Sequence, residues 1–122
     1  MLTIEQILKA PDAEVVAVEC PEWGGTVYVR TISADQRDAW EISCGDENDK
    51  PKAGARASLV GLAMCDKEGR FLQPTEAEVK ALGAKASGPM DRLFETILRI
   101  NRMRKRDVEQ MEKNSEPTTA DD

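Results

Sequence analysis

Residues 13–32 read AEVVAVECPEWGGTVYVRTI, and this stretch decides the fold class. Two runs rich in β-branched residues flank Gly24-Gly25. A two-residue glycine loop favours a β-hairpin because glycine tolerates positive φ at both central positions. The sequence therefore predicts a hairpin over about residues 14–32. Folding about the glycine pair predicts four cross-strand pairs, which are Trp23 with Thr26, Cys20 with Val29, Val18 with Thr31, and Glu19 with Arg30.

Helix-start signals lie on both sides of the hairpin. Three segments have Ser or Thr followed three residues later by Glu or Gln, the capping-box pattern that opens helices. They predict a short helix over 4–9, a second over about 34–44 and a third that opens at the Thr75 capping box and ends near Gly83, and the composition of 53–65 is typical of a buried helix. In the first of these helices Ile4, Ile7 and Leu8 fit one helical face, and in the second the expected inward residues are Ala39, Trp40 and Cys44.

The last predicted helix carries one broad apolar face. Its members at 100° per residue are Met90, Leu93, Phe94, Ile97, Leu98 and Ile100. A longer straight helix would put Asn101 and Arg104 in the middle of that face, which predicts a break near 101–105 and a short helix after it. The apolar face is either the core of the domain or a surface that binds a protein partner.

These elements predict an α+β fold in which the N-terminal β-hairpin is followed by a mostly α-helical bundle. We expect one small domain over residues 1–113, with helices over about 34–113. Two segments lack a core-forming pattern, the charged loop GDENDKPK at 45–52 and the acidic C-terminal tail at 114–122. The tail is expected to be disordered.

Composition excludes several classes of function. The chain has 122 residues, a net charge of −6 and no histidine. Histidine is the commonest general base and metal ligand, so its absence predicts no enzyme, no metal site and no cofactor. Cys20, Cys44 and Cys65 form no CxxC pair, which fits a reducing cytoplasm. We find no signal-peptide pattern and no apolar run long enough to cross a membrane, so no membrane partner is expected.

The basic run RINRMRKR, residues 99–106, contrasts with the acidic chain. Three interpretations are open for it: a solvated helix end favoured by the helix dipole, a contact with a protein partner, or a nucleic-acid site. No aromatic side chains accompany it for base stacking, so nucleic acid is the least favoured partner. Trp23, beside the hairpin turn, is either an exposed binding anchor or part of the core.

Two stretches carry a family resemblance. VECPEWGGTVYVRTISADQRDAWE and ASLVGLAMCDKEGRFLQPTEAEVKALGAKASGPMDRLFETILRIN resemble, in that order, the tail assembly chaperones of long-tailed, non-contractile bacteriophages and prophages. DVEQMEKNSEP looks like the C-terminal end of the family's short product, the unshifted form that is made without a ribosomal frameshift. The resemblance covers most of residues 13–117 and lies in the serial arrangement, since no single motif is diagnostic. The basic RMRKR segment and the PTTADD end depart from the family pattern.

The resemblance implies a function in phage assembly. Such proteins bind the aggregation-prone tape measure protein in the bacterial host cytoplasm, help recruit tail tube subunits, and are absent from the finished virion. In many members a ribosomal frameshift makes a longer product. The basic run would then contact an acidic stretch of a partner or of a neighbouring copy, through self-association. The candidate partner-binding residues are Trp23, Leu93, Phe94, Ile97, Leu98, Arg102, Arg104 and Arg106.

Three other functions remain as alternatives. A structural minor tail protein would be found in purified tails. A small nucleic-acid-binding regulator would use the basic run and would bind with a steep salt dependence. A hydrolytic enzyme is the third, and the lack of histidine and of a nucleophile motif argues against it.

Overall fold

The structure is a computed structural model that describes residues 1–44 and 53–103. Within these ranges the fold is α+β, as predicted, with one three-stranded antiparallel sheet of order β1-β2-β3 and five α-helices. The elements in chain order are α1 Ile4–Lys9, β1 Val15–Cys20, β2 Gly25–Arg30, α2 Ala34–Cys44, α3 Ala55–Ala63, β3 Met64–Cys65, α4 Glu76–Leu82 and α5 Ser87–Ile100.

Reciprocal capping boxes begin α1, α2 and α4, and all three predictions are confirmed. In each box the side-chain oxygen of the capping residue accepts from a backbone N–H three residues on, and the Glu or Gln side chain accepts from the capping residue's N–H. The backbone-to-side-chain distances lie between 2.8 and 3.1 Å. The pairs are Thr3 with Gln6, Ser33 with Gln36, and Thr75 with Glu78.

The hairpin forms, but the predicted register is wrong by four residues. Cys20 pairs with Gly25 instead of Val29. The turn is longer because Pro21 begins a 3-10 turn that ends at Trp23, and Gly24 closes it with a left-handed φ of 79°. The other predicted pairs are wrong for the same reason: the observed partners are Glu19 with Thr26, Val18 with Val27, and Val15 with Arg30. An even shift keeps each side chain on its expected face of the sheet.

A third strand, β3, was missing from the sequence prediction. The helix expected through residue 65 ends at Ala63, because the next two residues turn extended and pair with β2. A tight turn holds them there. Asp66 Oδ1 accepts from the backbone N–H groups of Glu68 and Arg70, both at 2.9 Å, and Phe71 bridges back to Cys65. The tertiary pairing outweighs the helical pattern of this segment.

The core lies where α5 packs against α3 and the two hairpin strands. The α5 side chains that the periodicity placed on one face are buried, apart from Phe94, which is partly buried. They meet the inward face of the sheet and the aliphatic side of α3. The central members of this core are Val18, Cys20, Val29, Leu59, Val60, Leu93 and Ile97.

The predicted break after the last helix is confirmed at its first residues. α5 ends at Ile100, and Arg102 adopts a left-handed φ of 58°. Two backbone bonds complete a Schellman motif, Met103 N to Leu98 O at 2.7 Å and Arg102 N to Arg99 O at 3.2 Å. Met103 is buried. The predicted helix after the break, the tail at 114–122 and the loop at 45–52 lie outside the described residues.

Asn101 ties the end of α5 to the exit of the hairpin. Its Oδ1 accepts from the backbone N–H of Ile32 at 2.9 Å, and its Nδ2 donates to the carbonyl of Ile97 at 2.9 Å. The side chain that interrupts the apolar face therefore satisfies one backbone group of α5 and one of the connection that follows β2.

We expect R102G to raise the free energy of unfolding by about 0.5–1 kcal/mol. Arginine carries a Cβ penalty in the left-handed conformation at this position, and glycine does not. Urea denaturation of both proteins measures the difference. R99G is the matched control, because Arg99 lies inside the last turn of α5 and glycine there should cost about 1 kcal/mol. Equal losses in both variants would contradict the assigned role of Arg102.

Candidate partner-binding surfaces

The apolar face of α5 lies in the core. Leu93 is 1% exposed, Ile97 is 0% exposed and Leu98 is buried with them. The sequence left open whether this face is core or a partner-binding surface, and the structure places these three side chains in the domain interior. A partner therefore reaches them only if α5 leaves the sheet. Phe94 is partly buried, with the Arg56 guanidinium 5.2 Å from its ring centroid.

Trp23 lies at the end of the hairpin turn and is also partly buried. It packs against the edge of the core, and the Lys85 ammonium lies 5.9 Å from its ring centroid. Because a protein neighbour covers part of the indole, Trp23 offers a partner only a limited apolar area.

The three arginines predicted to bind a partner fall into two groups. Arg102 is exposed in the Schellman motif at the end of α5. Arg104 and Arg106 lie outside the described residues. Within the described part of the chain, the basic run therefore contributes a helix-terminal surface, and its binding role stays a prediction.

An ion pair fixes the hairpin turn on α5. The Arg92 guanidinium donates to both oxygens of Glu22, at 3.0 and 2.8 Å, and to the carbonyl of Glu19 at 3.2 Å. This bidentate contact lowers the pKa of Glu22 from 4.5 to about 2 and raises the pKa of Arg92. The pair closes the long turn that displaced the predicted register.

The N-terminal segment carries the most conspicuous apolar surface that sequence reasoning missed. No residue of α1 is buried: Ile4 is 72% exposed, Ile7 is 50% exposed and Leu8 is 79% exposed, with Leu2 beside them. These side chains share one helical face, as their spacing predicts, and that face is exposed. A signal was available, because a six-residue helix followed by Pro11 is too short and too separate to bury one face against the bundle.

An open groove of about 480 Å³ lies between α2, α3 and α4. Its apolar lining is Ala39 and Trp40 from α2, Leu62 from α3, Phe71 and Pro74 from the connection after β3, and Val79 from α4. We call it the α2–α3–α4 groove. Ala39 was predicted to face the core, but it is exposed and lines this groove, while Trp40 and Cys44 are buried as expected.

Close backbone packing shapes the floor of the groove. A Cβ added at Gly61 of α3 would lie 3.0 Å from the Val79 side chain and 3.3 Å from Pro74. The missing side chain lets α4 approach α3. Phe71 also lines the groove, and the Arg30 guanidinium lies 4.3 Å from its ring centroid while it donates to the carbonyl of Gly69 at 2.9 Å.

The thiol of Cys65 and the carboxylate of Asp66, which follow α3, both have pKa values shifted by their structural surroundings. Burial raises the pKa of the Cys65 thiol, which disfavours the reactive thiolate. Backbone N–H groups, the one from Arg70 foremost, lower the pKa of Asp66, which accepts from them in its turn. Residues 1–44 and 53–103 contain no group of three His, Cys, Asp or Glu placed to hold a metal ion. Those same two ranges hold no helix long and apolar enough to cross a membrane.

Comparison with known proteins adds no relative. The chain matches no protein-family model, and searches of curated proteins and of solved structures find no similar protein.

The Glu22–Arg92 pair predicts a specific pH dependence of stability. Because folding lowers the pKa of Glu22, the pair stabilises the fold above pH 4.5, and this contribution is lost as the pH falls towards about 2. We expect E22Q to unfold more easily than wild type at neutral pH, with the difference shrinking on acidification. Thermal unfolding across this pH range measures it. E5Q, which removes a carboxylate from exposed α1, is the control, and parallel curves for wild type and E22Q would contradict the prediction.

Proposed function

We propose that this chain is a tail assembly chaperone of long-tailed, non-contractile bacteriophages or prophages, in its short, unshifted form. It binds the tape measure protein, keeps that protein soluble and helps recruit tail tube subunits, with no catalysis and no cofactor. It acts in the host bacterial cytoplasm and is absent from the mature virion. The serial resemblance of residues 13–117 to this family supports the proposal.

The structural observation that supports it is the uncovered apolar face of α1. A protein that holds an aggregation-prone client needs exposed apolar surface, and it needs charge to keep the complex in solution. Ile4, Ile7 and Leu8 supply the first, and the net charge of −6 supplies the second. The capping box of Thr3 and Gln6 orders the helix before any partner arrives.

The expected contribution of this face is large enough to measure. Burying one exposed Leu or Ile side chain against a partner contributes about 1.5–3 kcal/mol. Two such side chains together contribute on the order of 3 kcal/mol, which corresponds to about a 100-fold change in affinity. The cost of fixing α1 in the complex reduces this figure.

The first experiment is co-expression of the chain with the tape measure protein from its own genome neighbourhood. We expect the tape measure protein to become soluble and to co-purify with the chain. If it stays insoluble, the co-expression is repeated with any frameshifted extension of the chain. Failure of both forms would overturn the chaperone proposal and favour a structural tail protein, which would appear in purified tails.

The role of α1 is tested in the same assay with I4S/L8S. Removing both exposed apolar side chains should lower the recovery of soluble tape measure protein and weaken its binding about 100-fold, without changing the unfolding midpoint. I42S is the matched control, because Ile42 is 80% exposed on α2 and lies outside the α1 face. Wild-type recovery with I4S/L8S would show that α1 does not bind the client.

A further inference from the structure

We infer that the α2–α3–α4 groove binds an amphipathic helix whose polar face is basic. Naming the tape measure protein as the source of that helix rests on the function proposed above. The chemistry of the occupant is argued from the groove itself: its shape and lining, the charge on its flanks, and the residue at its rim.

The size and lining of the groove fit an apolar helix face. Its volume of about 480 Å³ falls in the range of ordinary ligand-binding clefts. Leu62, Phe71 and Val79 are partly buried and line it, and every described lining residue is uncharged. Amphipathic helices bind such grooves by inserting apolar anchors spaced three or four residues apart.

The helices on either side of the groove determine the charge of the occupant. α2 and α4 together carry five carboxylates and two cations, a net charge of −3. One cation, Arg37, is already paired with Glu41 at 3.2 Å. α3 adds Arg56, which pairs with Asp91 at 3.7 Å, and the Arg30 guanidinium lies against the Phe71 ring. An apolar groove between acidic helices attracts a helix with Lys or Arg on its solvent face and repels one with Asp or Glu there.

The rim of the groove supports a binding role. Gln73 lines the groove and has a φ of 52°, a left-handed conformation that is unfavourable for a residue with a Cβ. A glycine would adopt this backbone without the penalty. Glutamine instead contributes an amide at the rim, where it has a donor and an acceptor for the polar side of an occupant.

A second copy of the chain is the less suitable occupant. Its only fully uncovered helix among the described residues is α1, in which Glu5 and Lys9 pair at 3.3 Å and leave no excess positive charge. Two copies that each carry a charge of −6 also repel one another. The charge of the flanks therefore favours a different, basic protein.

The proposal is tested with a fluorescent 18-residue helical peptide that has leucines at three- and four-residue spacing and lysines on the opposite face. A second peptide has glutamates in place of the lysines. We expect the basic peptide to bind the full chain, more weakly at high salt, and the acidic peptide not to bind. A39R should weaken the basic peptide about tenfold or more, because it puts a bulky cation into the groove.

A81R is the matched control, because Ala81 is an exposed helical alanine on α4 that does not line the groove. Circular dichroism and the unfolding midpoint of both variants establish that they fold. Equal binding of the two peptides, or equal loss in A39R and A81R, would overturn the proposal. Self-association that A39R abolishes, with no peptide binding, would assign the groove to a second copy and also overturn it.

The peptide assay and the co-expression assay fail independently. If the basic peptide binds and A39R weakens it while the tape measure protein stays insoluble, the groove inference stands and the chaperone proposal fails. If the tape measure protein becomes soluble with wild type and with A39R alike, and the peptide does not bind, the chaperone proposal stands and the groove inference fails.

Discussion

The burial of α5 against α3 and the hairpin is the interaction on which the rest of the fold depends. Leu93 and Ile97 lie at the centre of the only cluster that joins the sheet to the helices among the described residues. Polar contacts fix both ends of this packing, with Arg92 holding Glu22 in the turn and Asn101 holding Ile32 at the exit. A hairpin alone is marginally stable, so β1 and β2 need α5 to cover their apolar face.

Local patterns predicted the parts of the fold that local physics decides. The capping boxes, the apolar face of α5 and the end of that helix before Asn101 follow from hydrogen bonds and periodicity within a few residues, and the structure has all of them. The register and β3 depend on more distant constraints. Pro21 lengthens the turn that the glycine pair suggested, and Met64 leaves its helical pattern because an open edge of β2 pairs with it.

Exposure does not follow from the helical pattern alone. The apolar patterns of α1 and α5 look alike, and a pattern states which side chains share a face without stating what covers that face. α5 is long enough to span the sheet and α3, whereas α1 has six residues and none of them is buried. Ala39 shows the same limit. It was expected to face the core with Trp40 and Cys44, but it is exposed and lines an open groove.

The exposed face of α1 and the α2–α3–α4 groove differ in shape and in charge, and this difference bears on how the proposed client would be held. α1 offers aliphatic side chains with balanced charge, and the α2–α3–α4 groove offers an apolar cleft between acidic helices. When a client is bound at one surface, its binding at the second surface is intramolecular and therefore occurs at a high effective concentration. Two contacts of modest affinity can in this way hold the client more tightly than either contact alone. Neither surface contributes Leu93 or Ile97, although the core residue Trp40 lines the groove, so contact with both surfaces leaves α5 packed in the core. Under the proposed function, release of the client requires only the loss of these two surface contacts, with α5 still packed on the sheet and α3.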